Sequence, residues 1–405
     1  MIFSTIRHFI TGLSLVVSSG VWAHGQFAVE QALVGKASLI AGYSHIDNYD
    51  NVLWQVPGVL MGGEAFGAEP GFILREASLH FTLGSEGGSF ATAELSSHGH
   101  SGESGVELEQ ALVGWFSNVD RQAIKLQAGL ITPLFSKAYG QHASVAYFTR
   151  KPLIYELIFG GHGSETGVNA QWQVAVSEHS NVYSGMEIWK GEKLPAKSGD
   201  SPNAIDAFTY WRWHKNESFS TLGAWYYAGK AKQRGDTRLD SGHSHDVPEE
   251  TSASPDIRFT GDTRVFGIYA DWNWQFEADK FLELSSEYTL TDISGTLQDE
   301  TRQSSLDGKH TGLWAQAALG INQHKVAIRY DHVVLDNSLN GTGASLLADS
   351  AKLINDHEPN VLSLAYEFQI DSHLRLRLEN RVDKVLPDTF SELMINLIWS
   401  RPFTF

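Results

Sequence analysis

Cysteine is absent from the 405 residues, which excludes a disulfide framework, a thiolate metal centre and a cysteine nucleophile. Long hydrophobic runs are absent too. Beyond the N-terminal segment nothing approaches the roughly 18 apolar residues of a membrane-spanning helix. Basic residues are few, 30 Lys and Arg against 47 Asp and Glu, for a net charge of −17. Neutralising nucleic-acid phosphates takes clustered Lys and Arg, so no nucleic-acid partner is expected. The acidic excess predicts instead a negative potential that favours cations.

What the chain does have is alternation. Near its C-terminus Leu393, Ile395, Leu397 and Trp399 alternate with Glu392, Met394, Asn396 and Ser400, and the sequence stops on Phe405. A period of two places one set on each face of a strand. In 373–379, Leu374, Leu376 and Leu378 point one way and His373, Arg375, Arg377 and Glu379 the other, continued by Arg381 and Asp383. The pattern returns in 325–331, with Arg329 and Asp331 on the polar face, and again where Leu362, Leu364, Tyr366 and Phe368 oppose Ser363, Glu367 and Gln369. In a soluble sheet the apolar sets would cover a core. In a barrel that spans a membrane they meet lipid, and the charges line a wet lumen, because unpaired charge is costly to bury. Arg329, Asp331, Glu367, Arg375, Arg377, Glu379 and Arg381 are therefore the candidate lining of a water-filled pore. A mean hydropathy of −0.21 fits, since only alternate residues of such a barrel face lipid.

Sixteen strand-like segments follow one another without a linker or a helix: 36–46, 71–83, 89–97, 106–117, 122–131, 166–176, 181–189, 205–213, 219–231, 263–275, 281–293, 310–321, 325–336, 360–370, 373–384 and 390–402. Their lengths match the roughly 9–11 residues of a tilted barrel strand. Short connections at 84–88, 118–121, 177–180, 214–218, 322–324 and 371–372 alternate with long ones at 47–70, 98–105, 132–165, 190–204, 232–262, 294–309 and 337–359. A secreted β-sandwich has no reason to alternate in this way, whereas bacterial transmembrane barrels have short periplasmic turns and longer external loops. The expected fold is all-β, a transmembrane antiparallel up-and-down barrel of about 16 strands.

The N-terminus agrees. Arg7 supplies a positive charge, Phe9 to Val17 a short apolar run, and Val21, Trp22 and Ala23 a cleavage site. The run is too short to cross about 30 Å of hydrocarbon at 1.5 Å per residue. Residues 1–23 are read as a cleaved signal peptide and 24–405 as one barrel domain. Loss of Arg7 takes the net charge from −17 to −18.

A last strand ending on an aromatic residue resembles Gram-negative outer-membrane β-barrels, in which that strand closes the barrel and its end is read by the assembly machinery. As a whole the chain resembles a sixteen-stranded porin. Gly129, Pro133, Phe135 and Ser136, followed by the stretch from Tyr147 through Arg150 and Lys151 to Pro152, are similar to the phosphate-selective porin group. In that group a Gly-x-x-x-Pro-Phe-Ser-like segment leads into a constriction loop; here Leu134 separates Pro133 from Phe135. The resemblance implies an outer-membrane location among lipid, a homotrimer, and passive diffusion of small hydrophilic solutes or ions. It also implies that the third external loop, 132–165, folds into the barrel and narrows it. Lys137, His142, Arg150, Lys151, Glu156 and His162 are then candidate constriction residues, and Phe135, Tyr139, Tyr147, Phe148, Tyr155 and Phe159 need an interior to pack against. The other reading of this segment is an external lid. Phosphate-selective porins conduct through a ladder of lumenal Arg and Lys, but the acidic excess here predicts a preference for cations.

Histidine is plentiful, 17 in all. His98 and His100 fall in the second long connection, and His243, His245 and Asp246 in the fifth, near Glu249 and Glu250. Alternate histidines on a flexible loop can both reach Zn²⁺, so a zinc-binding outer-membrane uptake protein is the alternative function. Solvated loop histidines, with nothing to fix their rings, are the other reading. His142 and His162 could titrate near neutral pH and gate a pore, or simply hydrogen-bond. No resident cofactor is expected apart from zinc at the external loops. Barrel enzymes need a Ser–His or Asp–His constellation that spacing does not locate, and no catalysis is expected.

Overall fold

A computed structural model describes residues 33–47, 56–60, 70–85, 87–98, 105–161, 163–197, 202–235, 257–354, 357–386 and 388–404. The signal segment expected at 1–23 lies outside the described residues, as do His100, His162, His243, His245 and Asp246.

Sixteen strands form the molecule: β1 (Leu33–Asp47), β2 (Gly71–Gly84), β3 (Ser89–Ser97), β4 (Glu107–Val119), β5 (Gln122–Ile131), β6 (Glu165–Ser177), β7 (Ser180–Trp189), β8 (Ala204–Lys215), β9 (Ser218–Arg234), β10 (Arg258–Glu277), β11 (Lys280–Gln298), β12 (Gln303–Ile321), β13 (His324–Asn340), β14 (Asn360–Gln369), β15 (Leu374–Lys384) and β16 (Phe390–Thr404). Each pairs antiparallel with the next in sequence. β1 closes on β16, from Val34 opposite Thr404 to Asp47 opposite Ser391. Closure satisfies both edges of the sheet, as a membrane requires of any strand inside it.

Alternation decides the two faces. On β13 Val326, Ile328 and Tyr330 are exposed while Ala327, Arg329 and Asp331 are buried; on β14 Leu362 and Leu364 are exposed while Ser363 and Glu367 are buried. The exposed set is large and apolar around most of the barrel, from Leu39 on β1 to Leu397 on β16. A band of that extent has no stable counterpart on a soluble monomer; it is the lipid face of a transmembrane barrel. Trp272, Trp274 and Phe276 stack in sequence at the end of β10 next to a two-residue turn, as an interfacial aromatic girdle does. Among the described residues no helix is long and apolar enough to cross a membrane.

Two expectations are corrected. The connection expected at 294–309 is mostly strand: β11 and β12 stay paired out to Gln298 opposite Gln303. Leu297 and Leu306 there bury against Phe259 and Leu347, which gives the Ser- and Thr-rich extension its own small core. β10, at 20 residues, is about 65 Å long at roughly 3.3 Å per residue, far more than an apolar band about 25 Å tall needs. The barrel wall is therefore taller on this side. Among the described residues the connections also hold three short helices where none was expected: α1 (Lys137–Gly140), α2 (Leu153–Phe159) and α3 (Ala344–Ser350).

Candidate functional site in the barrel interior

The inner wall carries more charge than strict alternation allows. A bulge in the β1–β2 pairing leaves Ile40 opposite Glu76 and Ala41 opposite Leu74. Arg75 is the extra residue, and it turns inward to donate from Nε to Asn396 Oδ1 at 2.9 Å, beside buried Glu76. A second bulge, between β3 and β4, sets Glu94 opposite Gln110 and Leu95 opposite Leu108. There Glu109 is the extra residue, also buried. Bulges re-aim side chains in this way.

Segment 132–161 lies against these inner-face residues. Pro152 fixes the entry to α2, and Gly160, left-handed at φ 72°, ends it by donating its N–H to Tyr155 O. Every residue of α2 is buried, Glu156 included, so the helix is covered on all sides rather than lying on a surface. On one side the segment is held by aromatic packing. The Phe135 ring lies 5.3 Å from Tyr139, 5.2 Å from Phe159 and 4.6 Å from the Trp225 indole, centroid to centroid. Gly267 makes room for that indole, since a Cβ there would meet it at 2.2 Å. The polar atoms on this side pair with carboxyls. Glu287 accepts from the indoles of Trp225 (2.5 Å) and Trp314 (3.0 Å), Glu187 from Leu134 N (2.8 Å) and Asn169 (2.6 Å), and Asp206 from Trp189 (2.5 Å).

On the other side charges grip the backbone. Arg329 donates to Arg150 O at 3.0 Å and Lys151 O at 3.1 Å. Asp331, bound to Arg329 at 2.9 Å, accepts from Leu153 N at 3.0 Å, the favourable place for an anion at the start of α2. Arg377 donates to Ala146 O at 2.5 Å and Ala143 O at 3.3 Å and pairs with Glu367 at 3.0 Å; Arg375 reaches Ser144 O and the same Glu367 at 3.2 Å. Glu379 accepts from Thr149 N at 3.0 Å and from the Thr149 hydroxyl. Arg381 pairs with Asp383 at 2.8 Å and stands 3.9 Å from Glu156. Arg150 lies 3.9 Å from both Glu156 and Glu392. The wet Arg ladder expected on β15 is thus covered: Arg377 is fully buried, and Glu379 and Arg381 nearly so.

A cavity of about 220 Å³ remains between the segment and the wall, lined among others by Arg75, Glu76, Lys137, Arg150, Glu283 and Arg329. Lys137 stands 3.9 Å from Asp271 and from Glu283. Burial alone would lower its pKa, but these two carboxylates raise it. Burial pulls Lys151 down to about 8; its ammonium donates to the Tyr139 and Gln141 carbonyls.

Beside the cavity is a cluster that sequence reading divided differently. His142 Nε2 lies 3.4 Å from Glu94 and 3.6 Å from Glu109, and its Nδ1 is 3.8 Å from Glu76. Burial would lower the His142 pKa; contact with Glu94 and the charges of Glu76 and Glu109 outweigh it and raise it to about 9. His98, expected to work with His100, binds Glu109 at 2.6 Å instead, and its pKa is raised: burial opposes, and the bond to Glu109 prevails. Sequence reading missed Glu76, Glu94 and Glu109. Glu94, in inward phase on β3, was the available signal; Glu109, and Glu76 next to Arg75, share the inner face with a consecutive residue only through the bulges.

No family model matches the sequence. An uncharacterized protein of Aquifex aeolicus (strain VF5) is 24% identical over 273 residues, 63% of this chain and 52% of that protein. The chain thus spans about half the length of the curated relative it matches. Among solved structures the chain is similar to OmpT of Vibrio cholerae lacking loop L8, an outer membrane protein (11% identity, 92% of this chain, 100% of that one, TM-score 0.54). It is equally similar to an anion-selective porin from Comamonas acidovorans, with 11% identity, the same coverage and a TM-score of 0.54. At that identity the likeness is one of fold: a porin-like barrel.

Proposed function

We propose that the protein is an outer-membrane porin through which small hydrophilic solutes or ions diffuse passively, and that segment 132–161 is its constriction. The observation that carries this reading is the pairing of a lipid-facing apolar band with a charged inner wall whose residues hold that segment. Lys137, His142, Arg150, Lys151 and Glu156 stand on the segment, and Arg329, Asp331, Glu367, Arg375, Arg377, Glu379 and Arg381 stand on the wall behind it. A narrowed, charged passage discriminates by size and by sign. Cations are favoured by the overall charge of −17 and by the Glu76, Glu94 and Glu109 carboxylates. The arginines of β13 and β15 do not reverse this, because carboxylates stand against them: Asp331 against Arg329, Glu367 and Glu379 against Arg375 and Arg377, and Asp383 against Arg381. The interior is read as non-catalytic, since its buried carboxylates serve to hold the segment. Assembly as a homotrimer follows from the same reading.

Planar-bilayer recording of the refolded full chain tests it. Ohmic, salt-dependent channels of small conductance are expected, with a reversal potential under a salt gradient that favours cations. A protein that inserts without conducting would overturn the porin reading. A reversal potential favouring anions would overturn the cation preference and support phosphate-type selectivity.

A further inference from the structure

We propose that Glu94, Glu109 and His142 form a divalent-cation site of the zinc class inside the barrel, with Glu76 behind the His142 ring. Ligand atoms of the first three residues lie within 4.8 Å of one another. The 3.4 Å from His142 Nε2 to Glu94 and the 3.6 Å to Glu109 are longer than tight charge-assisted hydrogen bonds, which run about 2.7–2.9 Å. They match another geometry. Two donors each about 2.0–2.1 Å from a tetrahedral zinc ion stand about 3.4 Å apart. The ion pairs of the cluster thus already hold His142 at tetrahedral-edge distance from each carboxylate.

Glu76 gives an independent indication. It is buried, its Oε1 accepts no hydrogen bond, and that oxygen faces His142 Nδ1 at 3.8 Å. At 3.8 Å no hydrogen bond joins the two atoms; a small shift of the ring on metal binding would let Nδ1 donate to Glu76 and leave Nε2 for the ion. His98 Nε2, 2.6 Å from Glu109 Oε1, fixes that carboxylate. One or two imidazoles with carboxylates suit Zn²⁺ or Co²⁺, whereas Mg²⁺ and Ca²⁺ prefer all-oxygen sites. The proposal goes beyond the diffusion reading and does not depend on it, because the site binds its ion whether or not the barrel conducts.

The test uses the full chain folded in detergent micelles, with Co²⁺ absorbance and Zn²⁺ titration calorimetry. Wild type is expected to bind Co²⁺ with the visible spectrum of a tetrahedral site, displaced by Zn²⁺ and not by Mg²⁺. The Glu94→Gln/Glu109→Gln double variant should lose that spectrum. Glu76→Gln should weaken binding about tenfold or more, as loss of a ring-orienting partner does. His243→Ala/His245→Ala should leave the spectrum intact. A Glu94→Gln/Glu109→Gln protein that keeps the wild-type spectrum and affinity would overturn the proposal, and so would a wild type without the spectrum. If the double variant does not fold, zinc-edge X-ray absorption on wild type decides. One or two imidazoles with carboxylate oxygens support the site; three or more imidazoles place the ion on other histidines and overturn it.

Discussion

The two sides of the barrel interior hold the same segment by different physics. Toward β7–β12 it is fixed by ring against ring, Phe135, Tyr139, Tyr155 and Phe159 on Trp225 and Tyr227. Among the described residues no cation pairs with the Glu187, Asp206 or Glu287 carboxyls there. Toward β13–β16 and β1–β4 the segment's ring contact is Phe148, packed on Ala327 and Ala365 beneath Arg329. Guanidinium groups clasp backbone carbonyls, and carboxylates accept backbone N–H groups. The aromatic side fills space with packed rings. The charged side grips at points, and the cavity lies between the two, lined by Tyr269, Glu283 and Trp314 as well as by Arg75, Glu76 and Arg329. On the reading proposed above, the aromatic side closes the lumen and the charged side shapes what passes.

If packing is what closes the first side, Phe135 is central to it, being 1% exposed and touching four rings. Phe135→Ala should cost about 3–5 kcal/mol of segment stability, as buried Phe truncations do. It should also raise single-channel conductance and open 132–161 to limited proteolysis while the barrel stays folded. Unchanged conductance together with unchanged protease resistance would break the comparison, because the charged clamps alone would then be holding the segment.

The charged side is probed by Glu379→Gln, with a smaller expected effect. Glu379 accepts both the amide and the hydroxyl of Thr149 and pairs with Arg377 at 3.6 Å. Hydrogen bonds to a charged acceptor contribute about 1.5–3 kcal/mol, and Gln keeps one acceptor oxygen. Hydrogen exchange at the Thr149 amide should quicken, and anion permeability should rise because Arg377 loses part of its balance. Release of 132–161 as complete as in Phe135→Ala would mean that the two sides are not distinct in kind.

What sequence could deliver follows from the same contrast. The faces of β13 to β15 were legible because Leu378, Leu364 and Ile328 alternate with Glu379, Ser363 and Arg329 without interruption. Arg75 and Glu76 were not: consecutive residues cannot share a face in a regular strand, and only a bulge turns both inward. α2 escaped because Leu153, Ile154, Leu157 and Ile158 leave no polar stripe, and a helix buried all round carries no period to detect. The histidines were noticed, but the spacing of His98 and His100 drew attention along the chain. The neighbours of His98 are Glu109 across a bulge and, beyond it, His142 on a different connection.

The smallest effect separates ring from hydroxyl on the aromatic side. The Tyr155 ring is fully buried against Tyr139 and Phe159, and its hydroxyl donates to Ser136 Oγ at 2.6 Å; Ser136 in turn reaches Glu287 at 3.4 Å. Tyr155→Phe keeps the ring and removes the relay. A single neutral hydrogen bond contributes about 1 kcal/mol net, and Ser136 retains Glu287 as an acceptor, so no carboxyl is newly stranded. The expected outcome is a loss of about 1 kcal/mol in guanidinium unfolding followed by tryptophan fluorescence, with conductance unchanged. A loss as large as that of Phe135→Ala would transfer the holding role from packing to the Tyr155–Ser136–Glu287 chain. The aromatic side would then grip its segment through polar points, as the charged side does.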